Sequence, residues 1–235
     1  MIYDVHTKNI SFLKVSKMLR EKGVKNNKFM LELYDESLVG VDPRSKEVEN
    51  SPELQVRIYR EICRNVWYYL RELVRIPANG AEIPYELNLG NCALTYLRTK
   101  NKNFILVLPR QHGKTIGVAT FDVWELCFAT KNANIIYLNK DRTNAVENLK
   151  RFRDIKDLMP RWLLETYILD PKRDVDNQES KVLHKMNNTI KILSPGGDPD
   201  DADRKGRGLT TAKIYFDEFA FMKYNQITYE ACLQA

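Results

Sequence analysis

From residue 103 onward, short apolar runs of strand length alternate with helical segments. This alternation narrows the fold more than any other feature of the 235-residue chain. The runs are "NFILVL" (103–108), "NIIYLN" (134–139) and "AKIYFD" (212–217). Each is apolar on both faces, as a strand covered from both sides must be. Strands of that kind, separated by helices, predict an α/β domain with a mostly parallel sheet and helices on both faces. The helical segments are "CALTYLR", "KTIGVATFDVWELCFA", "RTNAVENLKRFRDIKDLM" and the shorter "RWLLETY". Two further runs, "KVLHKM" and "TIKILS", flank Asn187-Asn188 and read as a β-hairpin.

The region before this alternation reads as helical. Phe12, Val15, Met18 and Leu19 recur at helical spacing over residues 10–22, and Gly23 supplies a stop. Residues 51–77 predict one long helix, capped by Ser51, opened by Pro52 and ended by Pro77. Tyr59, Ile62, Cys63, Val66, Trp67, Leu70, Leu73 and Val74 form its apolar stripe, which is packing surface. "IPANGAEIPYELNLGN" (76–91) reads as a loop, and it divides a small helical lobe (1–82) from an α/β core (83–235).

Composition excludes several classes. With 43% hydrophobic and 29% charged residues the chain is of globular type, and no run of 18 apolar residues is present to span a membrane. Cys63, Cys92, Cys127 and Cys232 are dispersed, so they read as reduced, packed thiols and form neither a zinc site nor a disulfide framework. The net charge of +6 permits a polyanionic partner, and residues 1–28 hold seven Lys or Arg against Asp4 and Glu21. A solvated basic helix face is the plainer reading of that cluster.

Chemistry concentrates in two places. A phosphate group needs inward-facing backbone N–H donors, a helix N-terminus behind them and a cation within reach. "PRQHGKT" (109–115) offers these, with Arg110, Gln111, His112 and Gly113 in the loop, Lys114 for the β- and γ-phosphates and Thr115 for Mg²⁺. The usual leading glycine is absent, since Leu108 and Pro109 stand there. Downstream, Asp217 and Glu218 follow an apolar run, where one acid can support the metal and the next can orient the attacking water. "GGDPDDADRKGRGL" (196–208) reads either as a solvated loop or as a source of an arginine, Arg204 or Arg207, for a phosphate. A calcium loop is excluded, because Lys205 and Ala212 occupy positions that need ligating oxygens.

Arg-Gln-x-Gly-Lys-Thr in place of a glycine-led loop resembles the phosphate loop of the large terminase subunit of phage DNA-packaging motors. "RGLTTAKIYFDEFAF" (207–221) resembles that family's second acid motif, and residues 11–43 are similar to its N-terminal region. The resemblance implies a P-loop ATPase of the ASCE type that works as a homo-oligomeric ring on the portal, with ATP and Mg²⁺ as cofactors. It implies that Lys114 and Thr115 bind phosphate and Mg²⁺, that Asp217 supports the metal and that Glu218 is the catalytic base. Arg110 takes the place of the loop arginine that senses the γ-phosphate, and Arg207 the place of an arginine acting across subunits. The adenine-reading glutamine that the family places before the phosphate loop is not evident; Asn91 is a substitute for it, though a helix cap is the plainer reading of that residue. Double-stranded DNA, the portal protein and the small terminase subunit are the implied partners, in the host cytoplasm and transiently at the procapsid portal vertex. The family continues past the second acid motif, whereas this sequence ends at Ala235, so a truncated sheet and no nuclease activity are expected. Two other readings stay open: a helicase-like nucleic-acid ATPase fragment, and a nucleotide-binding assembly module without turnover.

Overall fold

A computed structural model describes residues 2–78, 80–107, 113–194, 196–207, 211 and 213–233. In chain order its strands and helices are β1 (Ile2–Tyr3), α1 (Ile10–Glu21), β2 (Glu32–Leu33), α2 (Lys46–Glu49), α3 (Pro52–Arg64), α4 (Val66–Tyr68), β3 (Arg75–Ala78), β4 (Ala81–Pro84), α5 (Leu89–Lys100) and α6 (Lys114–Trp124). There follow β5 (Asn134–Leu138), α7 (Arg142–Asp157), α8 (Arg161–Leu163), β6 (Val175–Asp176), β7 (Ser180–Leu183), β8 (Asn188–Leu193), α9 (Pro199–Arg207), β9 (Lys213–Phe216) and α10 (Asn225–Leu233). The chain forms two compact units: Met1–Ala129 with Asp154–Tyr167, and Thr130–Arg153 with Ile168–Ala235.

The first unit is mainly helical. α3 starts as its sequence predicts, with the Ser51 hydroxyl accepting from Leu54 N and Pro52 in the first turn. The long helix expected over 51–77 does not run through. Asn65 breaks it, accepting from Tyr68 N at 3.1 Å to cap α4 and donating to Glu61 Oε1 at 2.7 Å and to Glu32 O at 2.9 Å. Glu61 is wholly buried and also accepts from Tyr34 N and Asp35 N, so the break is held by a network that the helix alone does not contain. After a wide turn over Tyr69–Leu73, the chain enters the β3–β4 hairpin where a loop was expected. Pro77 pairs with Glu82 there, an isolated two-stranded ribbon in which a missing N–H is tolerated. The indoles of the half-buried Trp124 and the buried Trp162 donate to Ile62 O at 2.7 Å and Pro43 O at 3.0 Å, which satisfies both ring N–H groups.

The strand expected at 103–108 does not form over its described residues. Ile105 and Val107 are 91% and 89% exposed, and no described strand pairs with them. An apolar run becomes a strand only when a neighbour offers a ladder. Leu108 lies outside the described residues.

The second unit is built on a five-stranded sheet of order β6-β7-β8-β5-β9. β5 lies parallel to β8 and to β9, while β7 runs antiparallel to both of its neighbours, β6 and β8. The sheet is therefore mixed, not mostly parallel. The cause is the hairpin at residues 184–187, which the asparagine pair announced; Asn187 takes the left-handed conformation there, at φ +52°. On one face Ile136 and Leu138 pack with Met222, Ile214, Phe216 and Phe219. Tyr137 and Tyr215 meet edge to face at 5.5 Å. The stretch read as a solvated loop contains α9 instead. The Asp198 carboxylate accepts from Asp201 N, acids fill its first turn and basic residues its last, which suits the helix dipole.

Candidate functional site

In the first unit, α6 begins at Lys114, and Gly113 before it is left-handed at φ +67°. An L-residue is strained in that conformation, and a Cβ there would also meet Asn91 Nδ2 at 3.1 Å. Gly113 O accepts the first helical bond, from Gly117 N at 2.8 Å. Gly117 allows α5 and α6 to touch, since a Cβ on it would lie 2.7 Å from Asn91 Oδ1 and 2.9 Å from Leu94 Cδ2. Lys114 and Thr115 are half-buried, and the first turn of α6 carries no acid to oppose an anion. The cap of α5 is Asn88, whose Oδ1 accepts from Asn91 N at 2.9 Å, and not the Asn91 side chain, which is buried against the start of α6. Further along, Arg98 lies 4.0 Å from the Phe121 ring, pairs with Glu125 at 3.1 Å and meets Asp122 in close contact, which ties the two helices together.

In the second unit the acids stand where β9 ends. β5 and β9 are parallel with Leu138 opposite Phe216, and Asp217 N donates to Leu138 O at 2.9 Å. That register sets Asn139 beside Asp217 and Lys140 beside Glu218. Asp217 is buried, and its Oδ2 accepts from Asn148 Nδ2 at 3.2 Å and Asn139 Nδ2 at 3.4 Å. Glu218 is left-handed at φ +53°, opens the turn over Phe219–Phe221, and pairs with Lys140 at 2.8 Å. The bend leaves one acid in a dry amide-lined place and the next at a half-exposed, cationic one.

The family described as terminase large subunit, T4likevirus-type, N-terminal, matches residues 105–232, more than half of the sequence. The chain belongs to that family. Among curated proteins, none matches the terminase chain.

Of the terminase residues read from sequence, Gly113, Lys114 and Thr115 sit together with Asn91 in the first unit, and Asp217 and Glu218 sit together in the second. Arg110, Gln111 and His112 lie outside the described residues. Arg207 lies on α9 and donates to Asp203 at 2.9 Å, while Arg204 pairs with Asp201 at 3.0 Å. Three residues around the acids were not anticipated: Asn139, Lys140 and Asn148. Asn139 and Lys140 directly follow an apolar run, the same signal that exposed the acid pair. Asn148 interrupts the stripe of Ala145, Leu149 and Phe152 on α7, so a polar residue at a core position was its signal. Among the described residues of the terminase chain, no helix is long and apolar enough to cross a membrane.

Proposed function

We propose that this terminase chain is the ATPase motor region that hydrolyses ATP to drive double-stranded DNA through the portal into a procapsid. The observation that carries the reading is the split environment of the acid pair: Asp217 buried and fixed by amides, Glu218 turned outward onto a lysine. One acid is placed to hold and the other to act.

In this reading Lys114 meets the β- and γ-phosphates at the positive end of α6, and Arg110, Gln111, His112 and Gly113 contribute to nucleotide binding. Mg²⁺, when bound, neutralises charge on the phosphates. Thr115 and Asp217 are the residues that the family resemblance assigns to it, a hydroxyl and a carboxylate, both donors that suit this ion. Glu218 orients the attacking water and takes its proton after parting from Lys140. Arg110 senses the γ-phosphate, Arg207 leaves Asp203 for a neighbouring subunit's nucleotide, and Asn91 supports the adenine side. The motor assembles as a ring at the portal vertex in the host cytoplasm, with the small terminase subunit and DNA as its other partners.

The test is ATP turnover against protein concentration for this chain and for Lys114→Ala, Glu218→Gln and Arg207→Ala. The expected result is turnover that rises faster than linearly, with Glu218→Gln losing about 10²-fold or more. Turnover that stays linear in concentration and survives Glu218→Gln would refute the reading.

A further inference from the structure

The buried amides around Asp217 point to a role outside the phosphate loop and the acid pair themselves. Asn139, Asn148 and Asp217 come from the end of β5, the middle of α7 and the end of β9, and all three are buried. Arg151 Nη1 donates to Asn148 Oδ1 at 2.8 Å, which turns the Asn148 amide nitrogen toward Asp217. Lys140 N donates to Asn139 Oδ1 at 2.7 Å and turns the second amide the same way. Both amides then meet a single carboxylate oxygen, Oδ2, and two donors on one oxygen fix the carboxylate's rotamer. Packing alone would favour Leu at position 148, since its neighbours Ala145, Leu149 and Phe152 are apolar and buried.

We infer that Asn148, with Asn139, is a positioning residue that sets the orientation in which Asp217 supports Mg²⁺. This rests on the proposed ATPase reading, and Arg151 extends the same chain toward the surface. Partners of this kind typically govern metal affinity by ~10- to 100-fold without touching the ion.

The experiment measures the affinity of a fluorescent, non-hydrolysable ATP analogue in Mg²⁺ and in EDTA, with Mn²⁺ binding to the analogue complex read separately by electron paramagnetic resonance. The unmodified chain, Asp217→Asn, Asn148→Asp, Asn139→Ser and Arg151→Met are compared, and near-ultraviolet circular dichroism confirms folding. Asn148→Asp should lower the Mg²⁺-to-EDTA affinity ratio about ten-fold and weaken Mn²⁺ binding equally, leaving metal-free affinity unchanged. Arg151→Met should do the same more weakly, and it leaves the buried amides in place should Asn148→Asp fail to fold. A ratio that falls in Asp217→Asn but stays constant in the folded Asn148 and Arg151 variants would overturn the inference and leave the ATPase reading standing. No difference between Mg²⁺ and EDTA in the unmodified chain would overturn both.

Discussion

Lys140 Nζ stands 2.8 Å from Glu218 Oε2, and the parallel register of β5 and β9 is what brings the two residues side by side. The ammonium therefore occupies the carboxylate that the proposed reaction needs for water. Both side chains are about one-third exposed, 38% and 33%, so the pair is screened and worth only ~0.2–1 kcal/mol. Lys140→Gln should release the base and raise turnover by about 1.5- to 5-fold under saturating ATP. Steady-state rates at low and high salt check this, since salt should raise the unmodified chain's rate and leave the variant's unmoved.

The α5–α6 contact depends on Gly117 having no side chain. Ala at this position places a methyl group 2.7 Å from Asn91 Oδ1 and 2.9 Å from Leu94 Cδ2. Gly117→Ala should destabilise the chain by about 1–3 kcal/mol. Urea denaturation of Gly117→Ala, Asn91→Ala and the double variant should show the double variant less damaged than the sum, because Asn91→Ala makes room for the new methyl group.

Arg98 should be the costliest single truncation in this contact. Its guanidinium satisfies Glu125 and the nearly inaccessible Asp122 together, with side-chain exposures of 6% for the arginine and 1% for Asp122. Arg98→Ala leaves that aspartate buried without its cation, at a cost of about 3–5 kcal/mol. A drop in the denaturation midpoint with an unchanged slope is the expected signature; an unchanged midpoint would show that the triad carries no stability.

α9 should loosen in acid. Hydrogen bonds from Gly197 N and from the Lys205 and Arg204 side chains hold the Asp201 carboxyl well below the usual carboxylate range. A depressed acid stabilises the folded state above its unfolded pKa, about 3.9, and loses that contribution as pH falls through the lower folded value. Amide exchange in α9 should therefore quicken only below about pH 4, whereas Asp201→Asn should show quick exchange at neutral pH.

Sequence made visible whatever is decided locally. Ser51 and Pro52 start α3 because a cap and a first-turn proline act within one turn. Asn187 announces the hairpin for the same reason. The break at Asn65 was hidden because Glu32 O and the Tyr34 and Asp35 N–H groups that hold the buried Glu61 come from a segment about 30 residues away. Ile105 and Val107 look like strand residues and form no strand, since pairing is settled by partners far along the chain. At the site the acids were legible from their place after an apolar run. Asn148 was not, because one polar residue in an amphipathic helix reads as an imperfect stripe until Asp217 is seen against it.

Glu218 sits in a backbone conformation that glycine adopts freely and that costs a glutamate about 1–2 kcal/mol. Selection for folding alone would drift toward glycine at this position, or toward asparagine. In the proposed reading a glutamate stands there for the water it orients and not for stability, at the expense of a backbone conformation that suits glycine better. Glu218→Gly should yield a chain that folds at least as well and performs no chemistry, whereas Glu218→Gln keeps the strain and removes only the charge.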